Sequence, residues 1–127
     1  MNESNIADVY CRMDSLNLAF EYVFKSLAIS IKNENKVFIS WINGILARTY
    51  LKKNMPDSAI YYAQSGLSLA NQTGSLEFMR DNTETLGKAY AFRKDFAKAY
   101  AYNLQYINYR DSLLSDEIRN KTAVLSV

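Results

Sequence analysis

Shifted by forty residues, this chain lies on itself without a gap. Tyr10, Tyr50 and Tyr90 share one column, Ala19, Ala59 and Ala99 a second, and Tyr22, Tyr62 and Tyr102 a third. Softer columns keep the same step: Ile6 with Leu46 and Leu86, Ala7 with Ala47 and Gly87, Leu27 with Leu67 and Ile107. A chain with ten tyrosines can match one column by chance, but not three identical ones at fixed mutual spacing. A unit that recurs in this way cannot bury its apolar face alone. It does so by stacking on the next copy.

Each unit reads as two helices. In the middle one Ile42, Ile45, Leu46, Thr49 and Tyr50 follow the i, i+3, i+4, i+7, i+8 stripe of an amphipathic helix. The polar segment Lys52-Lys-Asn-Met-Pro56 then predicts a turn, with proline in the first turn of a second helix and Asn54 as its cap. That second helix carries Ala59, Tyr62, Ala63, Gly66, Leu67 and Ala70 on one face. It ends at Asn71-Gln-Thr-Gly74, where glycine suits the left-handed residue after a helix and Ser75 can cap the next one. Alanine or glycine at 47, 59, 87 and 99 removes bulk where two helices cross, and the tyrosine one turn later fills the space beside the close approach. A single proline and four isolated glycines are too few for the turns of an all-β protein.

The order small-x-x-Tyr followed by Ala resembles the tetratricopeptide (TPR) pattern W-x2-L-G-x2-Y…A-x3-F…P. It stands as Ile6-Ala7-Asp-Val-Tyr10…Ala19, Leu46-Ala47-Arg-Thr-Tyr50…Ala59 and Leu86-Gly87-Lys-Ala-Tyr90…Ala99. The resemblance reaches to about Arg110. The tryptophan column holds Glu3, Asn43 and Thr83, the phenylalanine column Val23, Ala63 and Asn103, and the closing proline is missing. A period of forty exceeds the usual length of about 34 and also fits HEAT-type repeats; the small-x-x-Tyr…Ala order favours the TPR reading. The expected fold is all-α: an α-α superhelix, right-handed, of three TPR-like hairpins (1–32, 36–71 and 75–111), plus a capping or connector helix over 112–127. The tail Tyr109-Arg-Asp-Ser-Leu-Leu-Ser-Asp-Glu-Ile-Arg-Asn-Lys121 is similar to the segment that closes the repeats of many bacterial sensor and regulatory proteins. There the repeats lead into a long helix and on to a membrane span with a histidine kinase, or to a DNA-binding output. That resemblance implies a periplasmic module in the first case and a cytoplasmic one in the second.

Chemistry is scarce. No histidine occurs, which removes the commonest general base and metal ligand. The glycines at 44, 66, 74 and 87 form no phosphate-cradling run, and one cysteine cannot build a zinc cluster. Cys11 reads as a packing residue. The acidic pairs Asp116-Glu117 and Asp81…Glu84 read as solvated helix faces. Neither catalysis nor a cofactor nor a metal is expected. No apolar run approaches a membrane span, and Met1-Asn-Glu-Ser-Asn has neither the basic start nor the apolar stretch of a secretory signal.

The resemblance also implies a binding face. In TPR arrays the first helix of each repeat lines the concave side. Beside the core stripe, a second one then points into that groove: Trp41, Gly44, Arg48, Leu51 and Lys52 in the middle repeat, and Asp81, Glu84, Lys88, Ala91 and Phe92 in the last. In the first repeat it is Met1, Ser4, Asp8, Cys11 and Arg12. Trp41 and Arg48 are of the types that anchor interfaces; alternatively, Trp41 packs on a neighbouring helix and Arg48 pairs with Asp81 or Glu84. Ile45 and Thr85 stand where a carboxylate clamp would place asparagines, so a C-terminal carboxylate ligand is not expected. Charges in the groove nearly cancel, which argues against a nucleic-acid backbone. The expected partner is a protein or peptide. The alternatives are a structural module that self-associates into a homo-oligomer with an empty groove, and a small-molecule sensor. The apolar side of the short first helix calls for a further repeat of the parent protein or for a second copy.

Overall fold

The computed structural model describes residues 16–125. Five helices and no strand occur among the described residues: α1 (Leu16–Lys32), α2 (Lys36–Lys52), α3 (Pro56–Thr73), α4 (Leu76–Phe92) and α5 (Phe96–Leu125). The fold class is the all-α repeat that the sequence implies. The helix expected at the start of the first repeat, with Tyr10, lies outside the described residues. Each helix packs on the next, and α2 also reaches α4, so the leading helices of successive repeats lie side by side.

The forty-residue step holds at the level of single hydrogen bonds. In the turn between α2 and α3 the amides of Lys53, Asn54 and Met55 donate to the carbonyls of Thr49, Leu51 and Tyr50. Between α4 and α5 the amides of Arg93, Lys94 and Asp95 donate to Ala89, Ala91 and Tyr90, each forty residues on. Asn54 and Lys94 both take left-handed backbone, with φ of 61° and 63°. The tyrosine columns repeat too. Tyr50 stacks on Tyr62 at 5.4 Å between centroids and 4° between planes, and Tyr90 on Tyr102 at 5.6 Å and 3°. Offset-stacked aromatic pairs contribute about 0.5–1.5 kcal/mol beyond their buried area. Each tyrosine pair thus locks one leading helix to its partner just above the turn.

The apolar stripe lands where periodicity places it. Ile42, Ile45 and Leu46 form a buried cluster with Val23, and a second cluster joins Ala47, Ala59, Ile60, Ala63, Leu86, Ala89, Tyr90 and Ala99. Small side chains dominate this second cluster, which lets the helices approach closely. Where the family pattern has tryptophan, Asn43 and Thr83 are both buried, and Thr83 Oγ1 donates to its own helix at Met79 O, 2.8 Å away. Gly74 ends α3 in left-handed backbone, φ 70°, as expected.

Three local expectations need correction. Asn54 does not cap α3; Met55 occupies that place, and Asn54 is the left-handed residue that ends α2. Ser75 sits at the N-cap of α4 without capping through its side chain, because its hydroxyl meets that of Thr73 at 2.9 Å. Residues 112–125 are helical, but no break separates them from the last repeat. They prolong α5 to 30 residues, beyond the reach of the 17-residue α4.

Candidate functional site

The cleft between α2 and α4 brings two repeats together. Trp41, Gly44 and Arg48 come from α2, one turn apart, and Phe78, Asp81 and Asn82 from α4, with Ser40 and Ile45 beneath. The enclosed space is about 10 Å³, no more than a single water needs. At this point the cleft is almost filled by its own side chains.

Trp41 is half-buried and meets Phe38 edge-to-face at 5.2 Å and 85°, so its ring belongs partly to the core and partly to the cleft. Asp81 accepts from Arg80 Nε at 3.0 Å and lies within the field of Arg48. Burial raises the Asp81 carboxyl above the ordinary aspartate range, against the pull of Arg80 and Arg48. Glu84 accepts from Lys88 Nζ at 3.5 Å, a weak i,i+4 pair. Glu84 also accepts from the Tyr106 hydroxyl, and that bond is the main reason the phenol proton is held above its ordinary range. Lys52 and Phe92 are exposed at the C-terminal ends of α2 and α4, away from the Trp41–Asp81 cleft. Of the expected groove residues, then, Trp41, Gly44, Arg48 and Asp81 share one cleft, while Glu84 and Lys88 turn toward α5 and each other. Met1, Ser4, Asp8, Cys11 and Arg12 lie outside the described residues.

Sequence reasoning missed the polar knot under this cleft. Asn82 is 1% exposed, its Nδ2 donates to Phe78 O at 2.8 Å, and its Oδ1 has no hydrogen-bond partner among the described residues. That oxygen faces two bare α-carbons, Gly44 on α2 and Gly66 on α3. A Cβ at Gly66 would come within 2.7 Å of it, and one at Gly44 within 3.4 Å. Ser40 Oγ closes the knot by donating to Gly66 O at 2.7 Å. The signal was present in the sequence as two helical glycines, but nothing there shows what fills the space above them. The room at Gly44 is taken by Asn82 of the next repeat.

The chain matches no protein-family model, no curated protein and no solved structure. Among the described residues no group of three or more acidic or cysteine side chains could hold a metal ion. No described helix is long and apolar enough to cross a membrane.

Proposed function

We propose that this chain is a polypeptide-binding module of the tetratricopeptide type, serving as the input or interaction region of a bacterial signal-transduction protein. One observation supports this reading above the others. Trp41 and Arg48 from one repeat and Asp81 from the next stand at a single cleft, half-buried and so already held in place. Tryptophan and arginine in that state lose little freedom on binding and contribute more than flexible exposed side chains. A cleft with both charges suits a peptide, whose backbone and side chains offer both, better than a phosphate polymer. The small enclosed volume weighs against the small-molecule alternative.

The single tryptophan makes the test site-specific, because all indole fluorescence comes from the cleft. A displayed library of random peptides selected on the chain should yield binders that shift this emission. Those binders should lose capture by Trp41→Ala and Arg48→Glu, while melting temperature changes little. Binders that hold both variants as well as the parent would refute the assignment.

A further inference from the structure

The last repeat is built to end the array. In the middle repeat Gly44 and Gly66 leave the slot that Asn82 of the next repeat enters. Forty residues on, the same two places hold Glu84 and Tyr106, joined by a hydrogen bond, so the equivalent slot is filled. The returning turn is gone as well. Gly74, which reverses the chain after α3, corresponds to Leu114 in mid-helix. Yet the face that a fourth repeat would cover remains apolar. Ile60 is 7% exposed beneath α4, whereas its counterpart Tyr100 is 66% exposed.

This apolar face continues along α5 past the end of α4. Tyr100, Leu104, Ile107, Leu114, Ile118 and Leu125 are all exposed. With Asp111 and Lys121 they occupy eight successive positions spaced alternately by four and three, the seam of a coiled coil. The two charges decide the partner. If a second α5 lies antiparallel with the two-fold axis at residue 116, Asp111 meets Lys121 of the other copy, twice. In the same register Leu114 meets Ile118 and Ile107 meets Leu125, so the paired seam runs from Ile107 to Leu125, with Tyr100 and Leu104 beyond it. A parallel pair would instead set Asp111 against its own symmetry mate and Lys121 against its own, which is unfavourable. Glu117, beside the axis, is held by Lys121 at 3.1 Å, and Asp111 by Arg110 at 3.3 Å, so each seam charge brings a neighbour into the network. A polar pair inside an apolar seam fixes register and orientation.

We infer that the exposed face of α5 from Ile107 to Leu125 is a dimerisation surface for a second copy of this chain, antiparallel and centred on residue 116. The two repeat stacks then lie at opposite ends and leave both α2–α4 clefts clear. The inference does not depend on what the cleft binds, and Trp41→Ala should leave the dimer intact.

Analytical ultracentrifugation of the full chain tests it. The parent sediments as a dimer, and Leu114→Glu with Ile118→Glu makes it monomeric with unchanged helicity by circular dichroism. Asp111→Lys or Lys121→Asp alone weakens dimerisation roughly tenfold or more, since each creates two like-charge contacts; the two together restore it. Spin labels at Gln105→Cys, with Cys11→Ala, report orientation: antiparallel copies place them about 33 Å apart along the axis at 1.5 Å per residue, and parallel copies within about one helix diameter. A monomer at the highest soluble concentration, a dimer that survives the glutamates, indifference to the single reversals, or a short label distance would each overturn the inference.

Discussion

Replacing Asn82 by leucine should make the protein more stable, an unusual outcome for a fully buried position. Asn82 is enclosed by α2, α3 and its own helix, and its oxygen accepts no hydrogen bond among the described residues. An unsatisfied buried acceptor costs about 1–3 kcal/mol, and the Nδ2 bond to Phe78 O returns only about 0.5–1.5 kcal/mol. Leucine has the same branching and needs no partner, but its methyls are bulkier than the amide, so tighter packing against Gly44 and Gly66 offsets part of the gain. Its counterpart one repeat earlier is Ile42, 0% exposed in an apolar setting. The expected net gain for Asn82→Leu is about 0.5–1 kcal/mol in urea unfolding followed by circular dichroism and Trp41 emission, or roughly 2–6 °C in melting midpoint. Asn82→Ala should move the other way, by about 1–2 kcal/mol, because it leaves a cavity. If Asn82→Leu is no more stable than the parent, the oxygen is satisfied in solution and the reasoning fails.

The same knot predicts that Gly66→Ala destabilises by about 1–2 kcal/mol: the added methyl presses on an Asn82 with nowhere to move, and overpacking outweighs the roughly 1 kcal/mol gained in helix propensity. Gly87→Ala presses on Asn103, which is exposed and can swing aside, and makes only ordinary contact with Ala99 O at 3.7 Å, so its stability should hold or rise by up to about 1 kcal/mol in the same unfolding assay. Ser40→Ala removes the donor to Gly66 O and should cost about 1 kcal/mol by urea midpoint. Asp81 has a carboxyl raised by burial, so the folded state binds its proton more tightly than the unfolded chain. Its contribution is favourable while protonated and is lost as pH rises through the raised value. Asp81→Asn should therefore be the more stable protein near neutrality and converge with the parent below the ordinary aspartate range. The difference is small because 39% of the side chain is exposed to screening solvent, and a pH series in which the parent is the more stable at neutrality contradicts it.

Much of the fold was legible because its governing interactions are local. Helical periodicity fixed the Ile42–Tyr50 stripe, and glycine chemistry fixed the turn at Gly74. The identical columns placed Tyr50 and Tyr90 in matching surroundings before any contact was known. The errors fall where two segments compete for one residue. Asn54 can serve as the end of one helix or the start of another, and three backbone hydrogen bonds back to α2 decide the matter. Asn82 reads as an ordinary polar position on an amphipathic helix. Its burial follows from glycines on two other helices, 38 and 16 positions away in the chain. The unbroken α5 was obscured by the repeat itself, which suggests a stop near 111 although Asp111-Ser-Leu-Leu114 contains no helix breaker. In the groove, residue types singled out Trp41 and Arg48, but only the crossing of α2 and α4 shows that Asp81 joins them while Lys52 and Phe92 do not.

One structural unit, forty residues long and used in succession, underlies the whole fold. Nuclear Overhauser contacts among specifically labelled tyrosine rings test that most directly. Close ring contacts from Tyr50 to Tyr62 and from Tyr90 to Tyr102, with helical amide connectivities through 36–52, 56–73, 76–92 and 96–125, are the predicted result. Rings of Tyr50 and Tyr90 that contact unrelated partners, or cross-strand contacts anywhere in these segments, would contradict it.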